Sequence, residues 1–249
     1  MSGHSKWSQI KRQKGVADVK RGATFTKIAK AITIAVREGG GGDPVSNFKL
    51  RLVADQARTV NMPKENIQRA IDRGLGKGGE AAIEMVSYEG YAPGKVAIII
   101  EAATDNKNRT TPEIKSMLEK IGGTFAAQGA VSWMFKDCGL IVVEKAGKTF
   151  DEIFEIGVEA GAEDVEDVED SAEIYTKPTE LESVKRVIEA KGLLVQSAEL
   201  IKKPTTFTEV ADHDLAQRVI NTIERLEEHE DVQRVFSNFE PSATIDLSD

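Results

Sequence analysis

The sequence predicts an α+β protein: an N-terminal three-helix domain followed by two ferredoxin-like βαββαβ domains, one inserted into the other. Three observations carry that prediction. Apolar residues recur at spacings of three and four between Thr24 and Gly74, the period changes beyond a glycine-rich stretch, and a βαββαβ order then appears twice, once nested inside the other.

The first helix is read from Phe25, Ile28, Ala29, Ile32 and Val36, which fall within roughly 100° of one another on a helical wheel while Lys27, Lys30 and Arg37 lie opposite. One face is expected to pack and the other to be positive. Gly39 to Gly42 end this helix; the four glycines suit a flexible loop better than an anion-binding nest, since no phosphate motif adjoins them. Leu50, Val53, Ala57 and Val60 mark a second helix carrying Lys49, Arg51 and Arg58. Asn61-Met62-Pro63 breaks it, Pro63 suits the first position of a third helix with Ile67, Ala70 and Ile71, and Gly74 closes that helix. Gly74, Gly76, Gly78 and Gly79 follow no strand and precede no Lys-Ser/Thr, so they read as an interdomain linker.

Past the linker, 85–91 and 96–103 are expected strands joined at Ala92-Pro93-Gly94, with a helix over 112–121 capped by Thr110 or Thr111 and a strand over 131–135. A complete βαββαβ block follows: strand 140–144, helix 150–160, strands 162–168 and 173–176, helix 181–190 and strand 193–200. Its flanks repeat the order if strand 206–210, helix 214–228 and strand 232–239 complete what 96–135 began. The expected domains are therefore 1–79, a body of 80–138 with 204–249, and an inserted unit of 139–203.

Charge divides along the same lines. The 249 residues carry a net charge of −8, but residues 1–79 hold 16 Lys and Arg against 6 Asp and Glu, and the rest hold 17 against 35. The front third is thus +10 and the remainder −18, which points to a basic element for a polyanion carried on an acidic support. Residues 1–24 contain Trp7, Ile10, Val16 and Val19 among Lys6, Lys11, Arg12, Lys14, Lys20 and Arg21. Such an arm suits phosphates, and Trp7 suits either an unpaired base or an apolar anchorage on the protein's own core. The acidic run Glu163, Asp164, Glu166, Asp167, Glu169 and Asp170 lacks the ligand spacing and central glycine of a calcium loop and reads as a solvated hairpin face turned away from nucleic acid.

Several classes are disfavoured. A 40% hydrophobic fraction with 30% charge is that of a globular chain, and Val96 to Ile100 is far shorter than the roughly 18 apolar residues of a membrane span. No secretory signal is legible, and one cysteine, Cys138, allows neither an intrachain disulfide nor a multi-thiolate zinc site, so a cytoplasmic setting is expected. The three histidines, His4, His213 and His229, show no ligand spacing, and no nucleophile elbow or phosphate loop is present. The expectation is a binding protein with no catalytic residues, no metal and no cofactor. One segment is chemically loaded: Thr104-Asp105-Asn106-Lys107-Asn108-Arg109-Thr110 joins a strand to a helix, and its polar groups suit both capping and surface recognition.

With these residues in view, the chain resembles the YebC/PmpR family, which includes the mitochondrial translational activator of cytochrome oxidase subunit one. The resemblance rests on Gly3-His4-Ser5-Lys6-Trp7 with Ile10-Lys11, on Arg21, Phe25 and Lys27, on Asn61-Met62-Pro63 with Ile67 and Ala70-Ile71, on Tyr88-Glu89-Gly90-Tyr91 with Pro93-Gly94, and on Thr104-Asp105-Asn106 with Asn108-Arg109-Thr110. It implies a three-domain cytoplasmic protein of DNA-binding transcriptional regulation, or a factor of translation on the ribosome. The nucleic-acid contacts are expected at Lys6, Trp7, Lys11, Arg12, Lys14, Lys20, Arg21, Lys27, Lys30, Arg37, Arg51, Arg58 and Lys64, with Asp105, Asn106, Asn108 and Arg109 as a recognition loop. No helix offers an obvious set of Arg, Asn and Gln for reading a groove, and dispersed Lys and Arg with Trp7 lean toward backbone and unpaired bases.

Overall fold

The computed structural model describes residues 21–77, 79 and 81–242. Helices α1 (Arg21–Glu38), α2 (Phe48–Thr59) and α3 (Lys64–Gly74) come first, and Pro63 stands immediately before α3. Ile28, Ile32 and Val36 of α1 meet Leu50 and Ala57 of α2 and Ala70 and Ile71 of α3 in one core. The helices approach so closely at Gly74 that a Cβ there would lie 2.7 Å from Val36 Cβ. Asn47 caps α2, accepting from Leu50 N at 3.0 Å, and its amide donates to the carbonyls of Ala35 and Gly41 at 2.8 Å. One buried side chain thereby starts α2 and closes the glycine loop.

The body begins with β1 (Glu84–Ala92), β2 (Val96–Thr104), α4 (Lys107–Lys120) and β3 (Thr124–Ala126). The inserted unit follows as β4 (Phe135–Glu144), α5 (Phe150–Ala160), β5 (Asp164–Val168), β6 (Ser171–Thr176), α6 (Leu181–Ala190) and β7 (Leu194–Pro204). The chain then returns to the body as β8 (Thr208–Val210), α7 (His213–Glu227), β9 (Val232–Ser237) and β10 (Phe239–Pro241).

The inserted sheet runs β5-β6-β4-β7, the ferredoxin-like order. Helices α5 and α6 close one face over Ile141, Val143, Ile174, Leu181 and Ile188, while the other face carries Cys138, Leu140, Val142, Tyr175 and Ile201. The body sheet runs β3-β1-β2-β9, with α4 and α7 packed over Ile98, Ile100, Ile114, Leu118 and Ile223.

In detail the body departs from the expected pairing. The position foreseen for 206–210 is taken by β1, whose nine residues pair with β2 from Glu84 opposite Thr104 to Ala92 opposite Val96. A tight turn, with Gly94 at φ 75° and Lys95 at φ 61°, brings these strands together at small sequence separation. That local hairpin fills the slot, and β8 pairs in parallel with β10 instead. The expected strand 131–135 is also different: Ser132–Met134 forms a 3-10 turn, and β4 starts at Phe135. Helix α4 begins five residues before Pro112, because Asn106 rather than Thr110 or Thr111 accepts the first amide, Arg109 N at 3.2 Å. Thr110 is buried inside the helix.

Candidate nucleic-acid interface

Lys6, Trp7, Lys11, Arg12, Lys14 and Lys20 lie outside the described residues, as does the side chain of Arg21. The remaining expected contacts separate into two groups by the direction they face.

The first group faces inward. Lys27 Nζ donates to the carbonyl of Glu227 at the end of α7, where exposed carbonyls attract a cation. Lys30 Nζ donates to Asp231 Oδ1 and, at 3.2 Å, to the carbonyl of Glu230. Arg37 Nη1 donates to Ile83 O at 2.6 Å, above a contact of Ile34 with Ile83 and Ala103. Arg51 pairs with Glu182 of α6 at 2.9 Å, beside Phe48 and Leu52, which pack on the inserted core. The expected positive face of α1 is therefore turned onto the body. The reason is electrostatic: a buried carboxylate and a helix carbonyl terminus wait there.

Asp231 is the centre of this junction and is fully buried. Besides Lys30, its Oδ2 accepts from Thr110 Oγ1 at 2.7 Å and from Arg109 Nη2 at 3.0 Å, while its own carbonyl accepts Ala103 N at 2.7 Å. Burial alone would raise the carboxyl's pKa, but the hydrogen bonds from Lys30, Thr110 and Arg109 outweigh it and bring the value to about 2. Asp231 thus stays ionised and ties α1 to α4. The expected recognition loop is largely consumed here. Asn106 caps α4, Arg109 reaches Asp231 and, at 3.4 Å, Asp105, and Asn108 is exposed. Nothing in the sequence marked Asp231, whose neighbours Glu230 and Val232 give no motif.

The second group faces solvent. Arg58 at the end of α2 and Lys64 at the start of α3 flank one turn; both are exposed. Arg58 pairs at 2.6 Å with Asp55, itself nearly half-exposed, which is a weak claim on its charge. Among the described residues no carboxylate pairs with Lys64. Arg69 lies on the outward side of α3 with Gln68, next to Glu65 and Asp72, so that helix presents mixed charge.

A cleft of about 540 Å³ opens between the body sheet and the root of the inserted unit, lined by Ser87, Glu89, Ser132, Asp137 and Lys202 among others. Glu89 accepts the backbone amides of Gly129, Val131 and Ser132 at 2.8, 2.7 and 3.0 Å. Burial would raise its carboxyl, yet these three donors hold it low. Two carboxylates against one lysine do not suit a phosphate there. Trp133, expected inside a strand, instead stands 66% exposed with Nε1 donating to Ala130 O at 3.1 Å. Among the described residues no group of three or more His, Cys, Asp or Glu is arranged to hold a metal, and no helix is long and apolar enough to cross a membrane.

Two family models match in succession: the TACO1/YebC N-terminal domain over residues 5–77, and the TACO1/YebC second and third domain over residues 83–239. The chain belongs to the TACO1/YebC family. It is 52% identical to a probable transcriptional regulatory protein of Roseiflexus castenholzii, over 98% of this chain and 97% of that one. A TACO1/YebC relative in Chloroflexus aurantiacus, of the same description, is 49% identical over 98% of both chains. The fold is similar to the crystal structure of a conserved hypothetical protein from Aquifex aeolicus, with a TM-score of 0.85, 41% identity, and coverage of 93% of this chain and 94% of that one.

Proposed function

We propose that this chain is a nucleic-acid-binding regulator of gene expression, acting in the cytoplasm as a binding protein rather than an enzyme. The observation that carries the reading is the concentration of positive charge in residues 1–79, +10 against −18 in the rest, on a helical domain fixed to an acidic support. Inward cations hold that domain in place. The phosphate contacts fall to the arm, Lys6, Lys11, Arg12, Lys14, Lys20 and Arg21, with Trp7, and to the corner of Arg58 and Lys64. Lys27, Lys30, Arg37 and Arg51 position this surface rather than touch the ligand. Labour divides over the domains 1–79, 80–138 with 204–249, and 139–203; the pairing of Phe135 with Pro204 at the base of β4 and β7 supports the insertion.

The relatives' description as probable transcriptional regulatory proteins favours DNA as the ligand. A second reading, a ribosome-associated translation factor on structured RNA, is favoured by the outward side of α3, where Glu65 and Asp72 interrupt Lys64 and Arg69. Those carboxylates would meet phosphates and acceptor-rich base edges in a major groove. Neutralising Lys6, Lys11, Arg12 and Lys14 together tests the common claim: affinity should fall, and the slope of log K against log salt should flatten by about 0.7–0.9 for each phosphate no longer neutralised. An unchanged slope overturns the arm as the phosphate-binding element. Crosslinking in cells and sequencing the recovered nucleic acid separates promoter DNA from ribosomal RNA.

A further inference from the structure

The two edges of the inserted sheet differ. At β7, Arg234 of β9 donates to Leu200 O at 2.9 Å, and Phe48 and Leu52 of α2 pack on the core beside it. At β5, among the described residues, no strand pairs with the outer side. Val165 N donates to Asp164 Oδ1 at 2.9 Å instead of to β6, so it points outward, and alternation turns Asp167 N the same way. An apolar wall stands over this edge. Helix α5 lies over β5 and β6, and α6 over β4 and β7. Glu159 reaches Lys191 at the end of α6 at 2.7 Å, which marks the side of α5 that faces its neighbour. Phe154 falls about 140° round the helix from Glu159, above the β5 edge, with Val158 about 40° from it. These two side chains are 45% and 55% exposed. An open strand edge beside an apolar helix flank is the geometry that accepts one more strand.

Charge selects the occupant. From Phe150 to Asp170 the chain holds ten Asp and Glu and no Lys or Arg. Four lysines from other segments pair with this stretch, Lys136, Lys145, Lys191 and Lys203. The carboxylates left over repel phosphates, and they repel the same edge of a second copy. We propose that the β5 edge docks an extended cationic segment of a partner protein in which Lys or Arg alternates with apolar residues. The alternation follows from the two sides of β5. Val165 points into the core under α5, whereas Asp164 and Glu166 point to the opposite face, where Lys203 bonds them at 3.0 and 2.8 Å. A strand added beside β5 therefore lays one set of side chains against Phe154 and Val158 and the other beside Asp164 and Glu166. This docking goes beyond the proposed function and does not depend on it.

The probe is a capped peptide of about ten residues alternating Lys and Val, added to the full chain while amide hydrogen exchange is followed by NMR. Exchange at Asp167 N should slow about tenfold at saturating peptide, because that amide gains a strand partner. The same peptide with every backbone amide N-methylated keeps its charge and loses the ladder, and should bind at least about tenfold more weakly. Replacing Phe154→Ser and Val158→Ser together changes two exposed side chains and should weaken the unmethylated peptide by about tenfold with an unchanged melting temperature. A peptide alternating Glu and Val should not bind. Equal binding of the methylated and unmethylated peptides reduces the effect to surface attraction and overturns the proposal, as does an Asp167 amide that exchanges no more slowly when the peptide is bound. Slowing at Asp167 that follows protein concentration without peptide assigns the edge to a second copy and overturns it. Slowing produced by duplex DNA or single-stranded RNA assigns the edge to nucleic acid and overturns it too.

Discussion

The cations of the helical domain that face the body and those that face water belong to the same three helices, yet they do different work. Lys30 ends on a fully buried carboxylate, whereas Arg58 shares its charge with a half-exposed one. The difference lies in the partner's solvation. A carboxylate already stripped of water must be matched, and the match fixes a domain; a carboxylate in water gains little from its neighbour and leaves the cation available. A count of positive charge therefore overstates the surface offered to phosphates.

That contrast can be broken most sharply at Asp231. Replacing it with Ala leaves Lys30 and Arg109 facing each other across a buried gap and should cost about 3 kcal/mol, read as a lower urea midpoint. A loss near zero would mean the inward cations are not structural. Acid tests the same group without mutation. Its folded pKa lies below the unfolded value, so its contribution is complete above about pH 4 and disappears as pH falls toward about 2. Roughly 2 kcal/mol should go in that window, and Asp231→Asn should flatten it. Arg51→Ala, at a pair about a quarter exposed whose Glu182 keeps Arg186 as a second partner, should cost only about 0.5–1 kcal/mol in the same assay. At the outward end, Arg58→Ala with Lys64→Ala should leave stability within about 0.5 kcal/mol while lowering the salt slope of nucleic-acid binding by about one unit. If this pair unfolds the domain, or leaves the slope untouched, the outward group loses its distinction from the inward one.

Much of the architecture was legible because it is written in local periodicity. The apolar spacing of Ile28, Ile32 and Val36 gives α1, and Pro63 and Gly74 bound α3. The ferredoxin-like order of 139–203 follows from alternating elements whose hydrophobic sets are complete. What escaped was a competition between distant strands. Nothing in Glu84–Ala92 says that it will displace 206–210 from the body sheet; the Gly94-Lys95 turn decides that through proximity. The candidate surface was legible as charge and illegible as direction. Lys27 and Lys30 sit on the polar side of their wheel as expected, but their partners, Glu227 O and Asp231, are about 200 positions away in the chain. Asn106 and Arg109 carried both readings offered for their loop, and the capping one took Asn106 because its side chain reaches Arg109 N.

Strands β4 and β7 leave the body side by side, paired from Phe135 and Pro204 outward, with Thr205 N bonded to Met134 O at 2.7 Å just below. The unit beyond that point is joined to the body by two strands and braced by Arg234, which reaches Leu200 O and Glu199, and by α2, where Arg51 pairs with Glu182 and Phe48 and Leu52 pack on its core. A small rotation at the root would be magnified at the far end, where β5 turns into β6. The angle of the outboard sheet is therefore set by its two-strand root, the Arg234 tie and the contact with α2, and not by the apolar packing within it.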